Sequence, residues 1–157
     1  MHEGRRCGVL FDVGHGGISL RWDVAARSLD EGFVPDSIST DLHAGSMNAG
    51  MKNMSSVISK FLSLGISLSQ VVEASTWRPA QLLHRPDLGH LSPGACADVA
   101  VLKIEHGSFG FIDSCNFCRE SSVRLGAEVT LRSGDIAWDL NGRAAQPWQT
   151  SGVATTG

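Results

Sequence analysis

The sequence predicts an α/β fold in which two strand–helix units precede a small β domain. Each of two strand-like segments is followed by an amphipathic helical pattern, over residues 8–32 and 37–65. From Gly89 onward the pattern changes to short strands separated by turns. Consecutive strand–helix units imply parallel pairing, and a closed barrel of eight such units takes about 250 residues. We therefore expect the last two units of a barrel at residues 8–85 and a small β domain at residues 86–142.

The first unit begins with a nearly continuous apolar run at residues 8–14, closed by glycines. Such a run is typical of a strand buried on both faces. The following helix carries apolar residues at helical spacing: Trp22, Ala25, Ala26 and Leu29. Gly32 predicts its end.

The second unit alternates along its strand, so that Ser37, Ser39 and Asp41 share one face. Its helix, ended by Gly65, is marked by a spaced apolar set: Met51, Met54, Val57, Ile58, Phe61 and Leu62. Since two units cannot close a barrel, we expect much of this helix face to form an exposed apolar patch.

Beyond the second unit the sequence predicts two brief helices and then β structure. Ser67 and Gln70 form a capping-box pattern ahead of the first helix, and Pro79 suits the first turn of the second. The predicted strands are residues 98–102, 123–131 and 136–138, the last two joined by a Ser133-Gly134 turn. Residues 143–157 mix small and polar side chains, which predicts a disordered tail.

Composition and charge exclude several function classes. The 157 residues include 13 lysines and arginines against 16 aspartates and glutamates, a formal net charge of -3. Without a basic run, nucleic-acid binding is not expected. No apolar stretch approaches the roughly 20 residues of a membrane span, and Asp12 interrupts any secretory signal. We expect a cytoplasmic protein with no membrane partner.

The four cysteines are expected to be free thiols, since no export signal places them in an oxidising compartment. Cys115 and Cys118 have metal-ligand spacing, but the sequence offers no second pair at matching spacing, so a loop with two thiols is favoured over a zinc site.

Four motifs in order carry a family resemblance: GVLFDVGHG at 8–16, PDSISTDLH at 35–43, STWRPA at 75–80 and GHLSPGACADVAVL at 89–102. Together they resemble the C-terminal part of the amidohydrolase superfamily, nearest to the dihydroorotase-like amidohydrolase/deacetylase metallohydrolases. The likeness spans about residues 8–142. Each motif alone is weak, and their order makes the resemblance specific.

The resemblance implies the C-terminal part of a TIM-like (β/α)8 metallohydrolase barrel, its last two strand–helix units, followed by a small β domain. It also implies hydrolysis of C–N bonds with a divalent metal, Zn²⁺ by expectation. Such enzymes hold metals through a His-x-His pair after the first strand, ligands after the middle strands and an aspartate after the eighth. This sequence contains no His-x-His. Of that metal set it offers only the eighth-strand aspartate, which falls on Asp41.

Asp41 is the predicted catalytic residue and metal ligand. As the inward-facing residue at the end of its strand, it is suited to accept a proton from an activated water and pass it to the leaving nitrogen. The alternative is a turn or helix-capping aspartate. His15, in a glycine loop, and His43, two residues past Asp41, are predicted substrate contacts, although loop histidines are often bystanders. Asp12 is predicted to be a structural hydrogen-bonding group.

Two hypotheses of function follow. In the first, the chain is the C-terminal portion of a hydrolase of amide, cyclic amide or N-acyl bonds, inactive until joined by the N-terminal half of its barrel. Its partners are then a small-molecule amide and that missing half or a partner chain. In the second, the half-barrel performs no chemistry and binds a partner chain.

Overall fold

A computed structural model describes residues 1–47, 50 and 53–148. In chain order, its elements are α1 (His2–Arg6), β1 (Asp12–Gly14), α2 (Trp22–Asp30), β2 (Ser37–Ser39), α3 (Met54–Ser63), α4 (Leu68–Ser75), α5 (Trp77–Leu82), β3 (Val99–Ile112), β4 (Cys118–Arg132) and β5 (Asp135–Asp139). The α/β class predicted from the sequence is confirmed. None of the described helices is long and apolar enough to cross a membrane.

The two strand–helix units pair in parallel, as predicted. In the β1–β2 ladder Val13 lies opposite Ile38, and Ile38 points into the core. The first strand is shorter and more exposed than its apolar run suggested, because β2 is its sole partner strand in the described chain. Val9 and Leu10 precede the strand and are largely exposed, so the prediction of a strand buried on both faces over residues 8–14 was wrong.

The core lies where α3 meets β2, α4 and the centre of β4. Val57, Ile58 and Phe61 are buried there, and the Ser59 hydroxyl accepts a hydrogen bond from the Leu125 amide at 2.9 Å. The expected exposed patch on this helix was therefore wrong for the described residues, because β4 covers the face. Met51, also assigned to that patch, lies outside the described residues.

Residues 99–139 form a three-stranded antiparallel sheet in the order β3-β4-β5. Ser133 and Gly134 both have positive φ, as a tight hairpin turn requires, which confirms the predicted connection. The predicted first and second strands are much longer than expected, at 14 and 15 residues. Cys115 lies in the turn that joins them and Cys118 begins β4; both thiols are free and exposed.

The remaining local predictions concern helix ends and the tail. Ser67 and Gln70 form the predicted capping box, and Gly32 and Gly65 follow their helices with positive φ. At the start of the predicted tail, the amides of Arg143 and Ala144 donate to the Asp139 carboxylate. Residues 149–157, the rest of that tail, lie outside the described residues.

Candidate functional site at the carboxyl end of the parallel strands

The ladder between β1 and β2 continues past both strands. The His15 amide donates to the Ser39 carbonyl at 3.3 Å, and the Gly16 amide donates to the Thr40 carbonyl at 2.9 Å. Because the strands are parallel, the residues that follow them meet at one edge. The glycine loop after β1 is thereby placed directly beside Asp41.

Asp41 is exposed and has a left-handed backbone, with φ of 48°. Aspartate tolerates this region better than most residues, and such backbone strain is concentrated at functional sites. A Cβ atom at Gly16 would lie 2.4 Å from Asp41 Oδ2, and one at Gly14 would lie 2.9 Å from Asp41 Cβ. Glycine is favoured at both positions, at Gly14 because the Asp41 side chain lies against the loop backbone and at Gly16 also because φ is positive.

Asp12 joins the two strands through its side chain. Its two carboxylate oxygens accept hydrogen bonds from the hydroxyls of Ser37 and Ser39, each at 2.6 Å. The structural role predicted for Asp12 is confirmed. The two serines share one face of β2, as their spacing predicted, and this is the face that carries the polar groups.

His15 lies inside the protein, 1% exposed. Its Nδ1 is 2.8 Å from the Gly16 carbonyl oxygen and its Nε2 is 2.6 Å from Lys60 Nζ. Burial, followed by the Lys60 charge, lowers the pKa of the imidazole. The substrate contact proposed for His15 stays a prediction, and in this structure both ring nitrogens already have protein partners.

His43 is exposed close to Asp41, with its Nδ1 2.9 Å from the Asp41 carbonyl oxygen. The turn that holds it is closed by Ser46, whose buried hydroxyl accepts from the His43 amide and donates to the His43 carbonyl, both at 3.0 Å. Of the two predicted substrate-binding histidines, His43 is the one whose ring lies on the surface beside Asp41. Its role also stays a prediction.

Lys60 was missed by the sequence reasoning. It lies on α3, fully buried, with Nζ 2.8 Å from the Gly50 carbonyl and 2.6 Å from the Ile112 carbonyl in addition to His15. Burial lowers its pKa to about 8, although the Asp113 carboxylate acts in the opposite direction. A signal was available, since Lys60 is three residues after Val57 and shares the buried side of the helix.

Asp41 offers a metal a ligand of the right chemistry. A carboxylate such as that of Asp41 ligates Zn²⁺ and harder divalent ions. Within residues 1–47, 50 and 53–148, no three histidine, cysteine, aspartate or glutamate side chains converge as a metal site. Asp41 therefore fits as one member of a ligand set that the described residues do not complete.

Comparison with known proteins decides the family. The family model described as "Amidohydrolase family" matches residues 18–126, well over half of the chain. The chain belongs to the amidohydrolase family. The resemblance seen in the four sequence motifs is confirmed, and with it membership in a family of hydrolases whose members are generally metal-dependent.

Similar proteins in this family include two bacterial deacetylases. The chain is 36% identical over 107 residues to a deacetylase of Brucella anthropi, an overlap of 68% of this chain and 27% of that protein. It is also 36% identical over 107 residues to a deacetylase of Agrobacterium fabrum, over 68% of this chain and 26% of that protein. The chain thus spans about a quarter of the length of these relatives.

Two solved structures share the fold. A crystal structure of an adenine deaminase superposes with a TM-score of 0.83 at 28% identity, over 88% of this chain and 38% of the deaminase. A crystal structure of a dihydroorotase superposes with a TM-score of 0.78 at 30% identity, over 86% of this chain and 36% of the dihydroorotase. The arrangement of the described elements is therefore one that amidohydrolase-family enzymes adopt.

A large open groove lies elsewhere, between the helices α3 and α4 and the antiparallel sheet, with a volume of about 1510 Å³. Ile58, Leu68, Val72, Leu102 and Ile104 contribute apolar side chains to its lining. Asp41, His15 and His43 are not among its lining residues. The groove and the Asp41 carboxylate therefore lie in different parts of the molecule. We place the candidate site at the carboxyl end of β1 and β2, because Asp41, the aspartate that the family motifs single out, lies there.

Proposed function

We propose that this chain supplies the C-terminal barrel residues of a hydrolase that cleaves C–N bonds of amides, cyclic amides or N-acyl groups. The observation that carries the proposal is the position of Asp41: an exposed carboxylate at the carboxyl end of the parallel strands, against the backbone of the loop that contains Gly14 and Gly16. In parallel α/β folds and barrels, active sites form at this end of the strands. The family membership supports the reaction class.

Asp41 is the proton carrier in this proposal. One carboxylate oxygen accepts a proton from the attacking water, and the same group then delivers it to the nitrogen that leaves. The Asp41 carboxylate is exposed and can reach a substrate above the edge, whereas both carboxylate oxygens of Asp12, which is also exposed, are engaged by serine hydroxyls. The exposed His43 ring lies beside Asp41, where it can hydrogen-bond an oxygen of a substrate held by Asp41. His15 holds the glycine loop that faces the same space, through its contact with the Gly16 carbonyl.

Asp41 would also ligate the divalent metal that family membership implies, Zn²⁺ in our proposal, together with ligands from the rest of the barrel. When bound, such an ion supplies a water whose pKa is near 7. A carboxylate has two oxygens and about four acceptor positions, so ligation and proton transfer by one aspartate are chemically compatible.

The names of similar proteins support a broad class of substrate. The names adenine deaminase and dihydroorotase denote hydrolysis of a C–N bond, and the name deacetylase denotes removal of an acetyl group. We propose a small-molecule amide as substrate, and a cytoplasmic location in which the exposed thiols stay reduced. The partner that we propose is the rest of the barrel, supplied upstream in the same polypeptide or by a separate chain.

The test is complementation followed by a rate measurement. The first six strand–helix units of a related amidohydrolase barrel are fused upstream of residue 8 or added as a separate chain, with and without Zn²⁺. Hydrolysis is then followed on a panel of cyclic amides and N-acetyl amino acids. We expect metal-dependent turnover from the complemented protein and none from the 157-residue chain alone.

Two results would contradict the proposal. A well-folded complemented protein that hydrolyses nothing in the panel would favour the second hypothesis, a half-barrel that only binds a partner. Turnover by the 157-residue chain alone would show that the rest of a barrel is not needed.

A further inference from the structure

Lys60 has every proton of its ammonium group engaged. A lysine ammonium has three N–H donors and no acceptor. In this structure three acceptors surround Nζ at 2.6 to 2.8 Å: His15 Nε2, the Gly50 carbonyl and the Ile112 carbonyl. The charge is fully buried and lies 6.0 Å from the centre of the Trp22 ring. A buried charge with this many specific partners is costly to keep, which calls for a reason beyond packing.

Contacts at both ring nitrogens fix the tautomer of His15. Because the ammonium can only donate, Nε2 of His15 must accept and therefore carries no proton. A neutral imidazole then has its proton on Nδ1. That atom lies 2.8 Å from the Gly16 carbonyl oxygen, which can only accept, so the Gly16 contact requires the same tautomer and Nδ1–H donates to Gly16.

Gly16 in turn forms the wall behind Asp41. Its amide donates to the Thr40 carbonyl, and its carbonyl accepts from His15, so the peptide units on both sides of its Cα are fixed. Its Cα hydrogen faces Asp41, since a Cβ atom built there would lie 2.4 Å from Oδ2. A small shift of this glycine would move the surface against which the carboxylate lies.

We propose that Lys60 is a positioning residue for Asp41, acting through the Nδ1–H tautomer of His15 and the backbone of Gly16. The proposal rests on the catalytic role proposed for Asp41. It assigns the buried lysine to the reaction although its Nζ has no contact with the carboxylate. It also links the antiparallel sheet to the site, since one of the three acceptors, Ile112, is the last residue of β3.

The first test uses the 157-residue chain and needs no activity. Nitrogen chemical shifts of labelled histidine report which ring nitrogen carries the proton. We expect His15 in the Nδ1–H form in the wild type. The shift of an unprotonated Nε2 also reports whether that atom accepts a hydrogen bond. We expect Lys60→Met to keep the Nδ1–H form, which the Gly16 carbonyl requires, but to move the Nε2 shift to that of an acceptor without a hydrogen bond. Lys103→Met, which removes an exposed lysine of β3, should leave the Nε2 shift unchanged. An Nε2–H form in the wild type overturns the proposal without any variant, and so does an Nε2 shift that Lys60→Met does not change.

The second test is a double-mutant cycle in the complemented enzyme. We expect Lys60→Met to lower kcat by about 10-fold to 100-fold with KM changed by less than about 3-fold, because positioning acts on the reacting geometry. In the Asp41→Asn background the same change should have little further effect on kcat. A lysine that serves only folding would lower the active fraction equally in both backgrounds, and that result overturns the proposal.

Lys60→Gln is the second variant if Lys60→Met fails to fold. It keeps an N–H donor for His15 Nε2, so we expect it to retain the hydrogen-bonded Nε2 shift and more of the kcat than a variant without that donor. Loss of the hydrogen-bonded Nε2 shift in a folded Lys60→Gln chain would overturn the proposal. If the complemented enzyme is inactive with Asp41 and Lys60 both intact, the proposed function fails, whereas the nitrogen-shift measurement still decides the coupling of Lys60 to His15.

Discussion

The parallel strand pair and the antiparallel sheet differ in strand length and in the extent of their hydrogen-bonded ladders within the described chain. The parallel strands are three residues long, and each has one strand neighbour. The first two antiparallel strands are 14 and 15 residues long and share a continuous ladder with two irregularities. Asp41, His43 and the glycine loop all follow directly after the strands of the short pair.

This difference shows that the candidate site is built on the less self-sufficient region. Functional loops are commonly drawn from the less stable part of a fold, on a scaffold that holds them. Here the scaffold includes Asp12, which joins the strands, and Lys60, which bonds the glycine loop and β3 together. The antiparallel sheet thus contributes to the site through a buried lysine.

The largest expected effect on stability is that of Lys60→Met. Removing the ammonium leaves a buried imidazole nitrogen and two carbonyls without their donor, which costs about 2 to 4 kcal/mol in the free energy of unfolding. Urea denaturation followed by circular dichroism measures it, with Lys103→Met as the exposed control. A Lys60→Met chain as stable as the wild type would mean that the buried ammonium does not join the two regions.

Hydrogen exchange should separate the two regions directly. We expect the amides of His15 and Gly16, which extend the short ladder, to exchange at least about 100-fold faster than amides in the middle of β4, since a short pair opens without global unfolding. Adding the rest of the barrel should slow exchange in the short pair and leave β4 nearly unchanged. Equal protection in the two regions would contradict the comparison.

Asp12→Asn should weaken the short pair by about 1 kcal/mol, because one amide oxygen and one NH₂ replace two acceptors that the serine hydroxyls both use. Glu105→Gln is the matched change on the antiparallel sheet, where it breaks an ion pair with Arg124. That pair is partly exposed, so its loss should change the free energy of unfolding by less than about 1 kcal/mol. Chemical denaturation of both variants tests the ranking.

The smallest expected effect is a dependence of stability on pH. Burial lowers the pKa of Lys60 to about 8 in the folded protein, below its usual value. Between about pH 8 and 10.5 the unfolded chain therefore binds more protons, and this group's contribution to the free energy of unfolding rises with pH. The contribution of Lys60 to the free energy of unfolding has its full value above about pH 10.5 and is lost as the pH falls through about 8.

The measurement is the difference in stability between wild type and Lys60→Met at pH 7 and pH 8.5, in which titrating cysteines cancel. We expect it to increase by less than about 1 kcal/mol over that interval. His15 and Asp113 also contact or act on Lys60. If the stability difference instead decreased between pH 7 and pH 8.5, their combined influence would raise the pKa of Lys60 rather than lower it.

The sequence predicted those features that depend on local chemistry. Helix ends at Gly32 and Gly65, the Ser67 capping box and the Ser133-Gly134 turn each depend on neighbouring residues alone, and the structure confirms them. The strand at 8–14 and the exposed face of α3 depended on which elements pack together, which periodicity does not specify. The packing of α3 against β4 overturned the second expectation.

The candidate site was predictable to a similar extent. Alternation along residues 37–41 put Asp41 on the polar face, and the family motifs singled it out. Lys60 was missed because a single lysine in an amphipathic helix is usually solvated, and its acceptors come from residues far along the chain, such as His15 and Ile112. Only the folded arrangement brings those three together.

The most direct test of the central claim is the turnover of Asp41→Asn in the complemented enzyme. The substitution keeps the size of the side chain and removes its basicity, so kcat should fall by about 10² to 10⁴, the usual contribution of a positioned acid or base. Asp135→Asn, an exposed change on β5, is the matched control and should keep the wild-type kcat. A folded Asp41→Asn enzyme with the same kcat as Asp135→Asn would contradict the account.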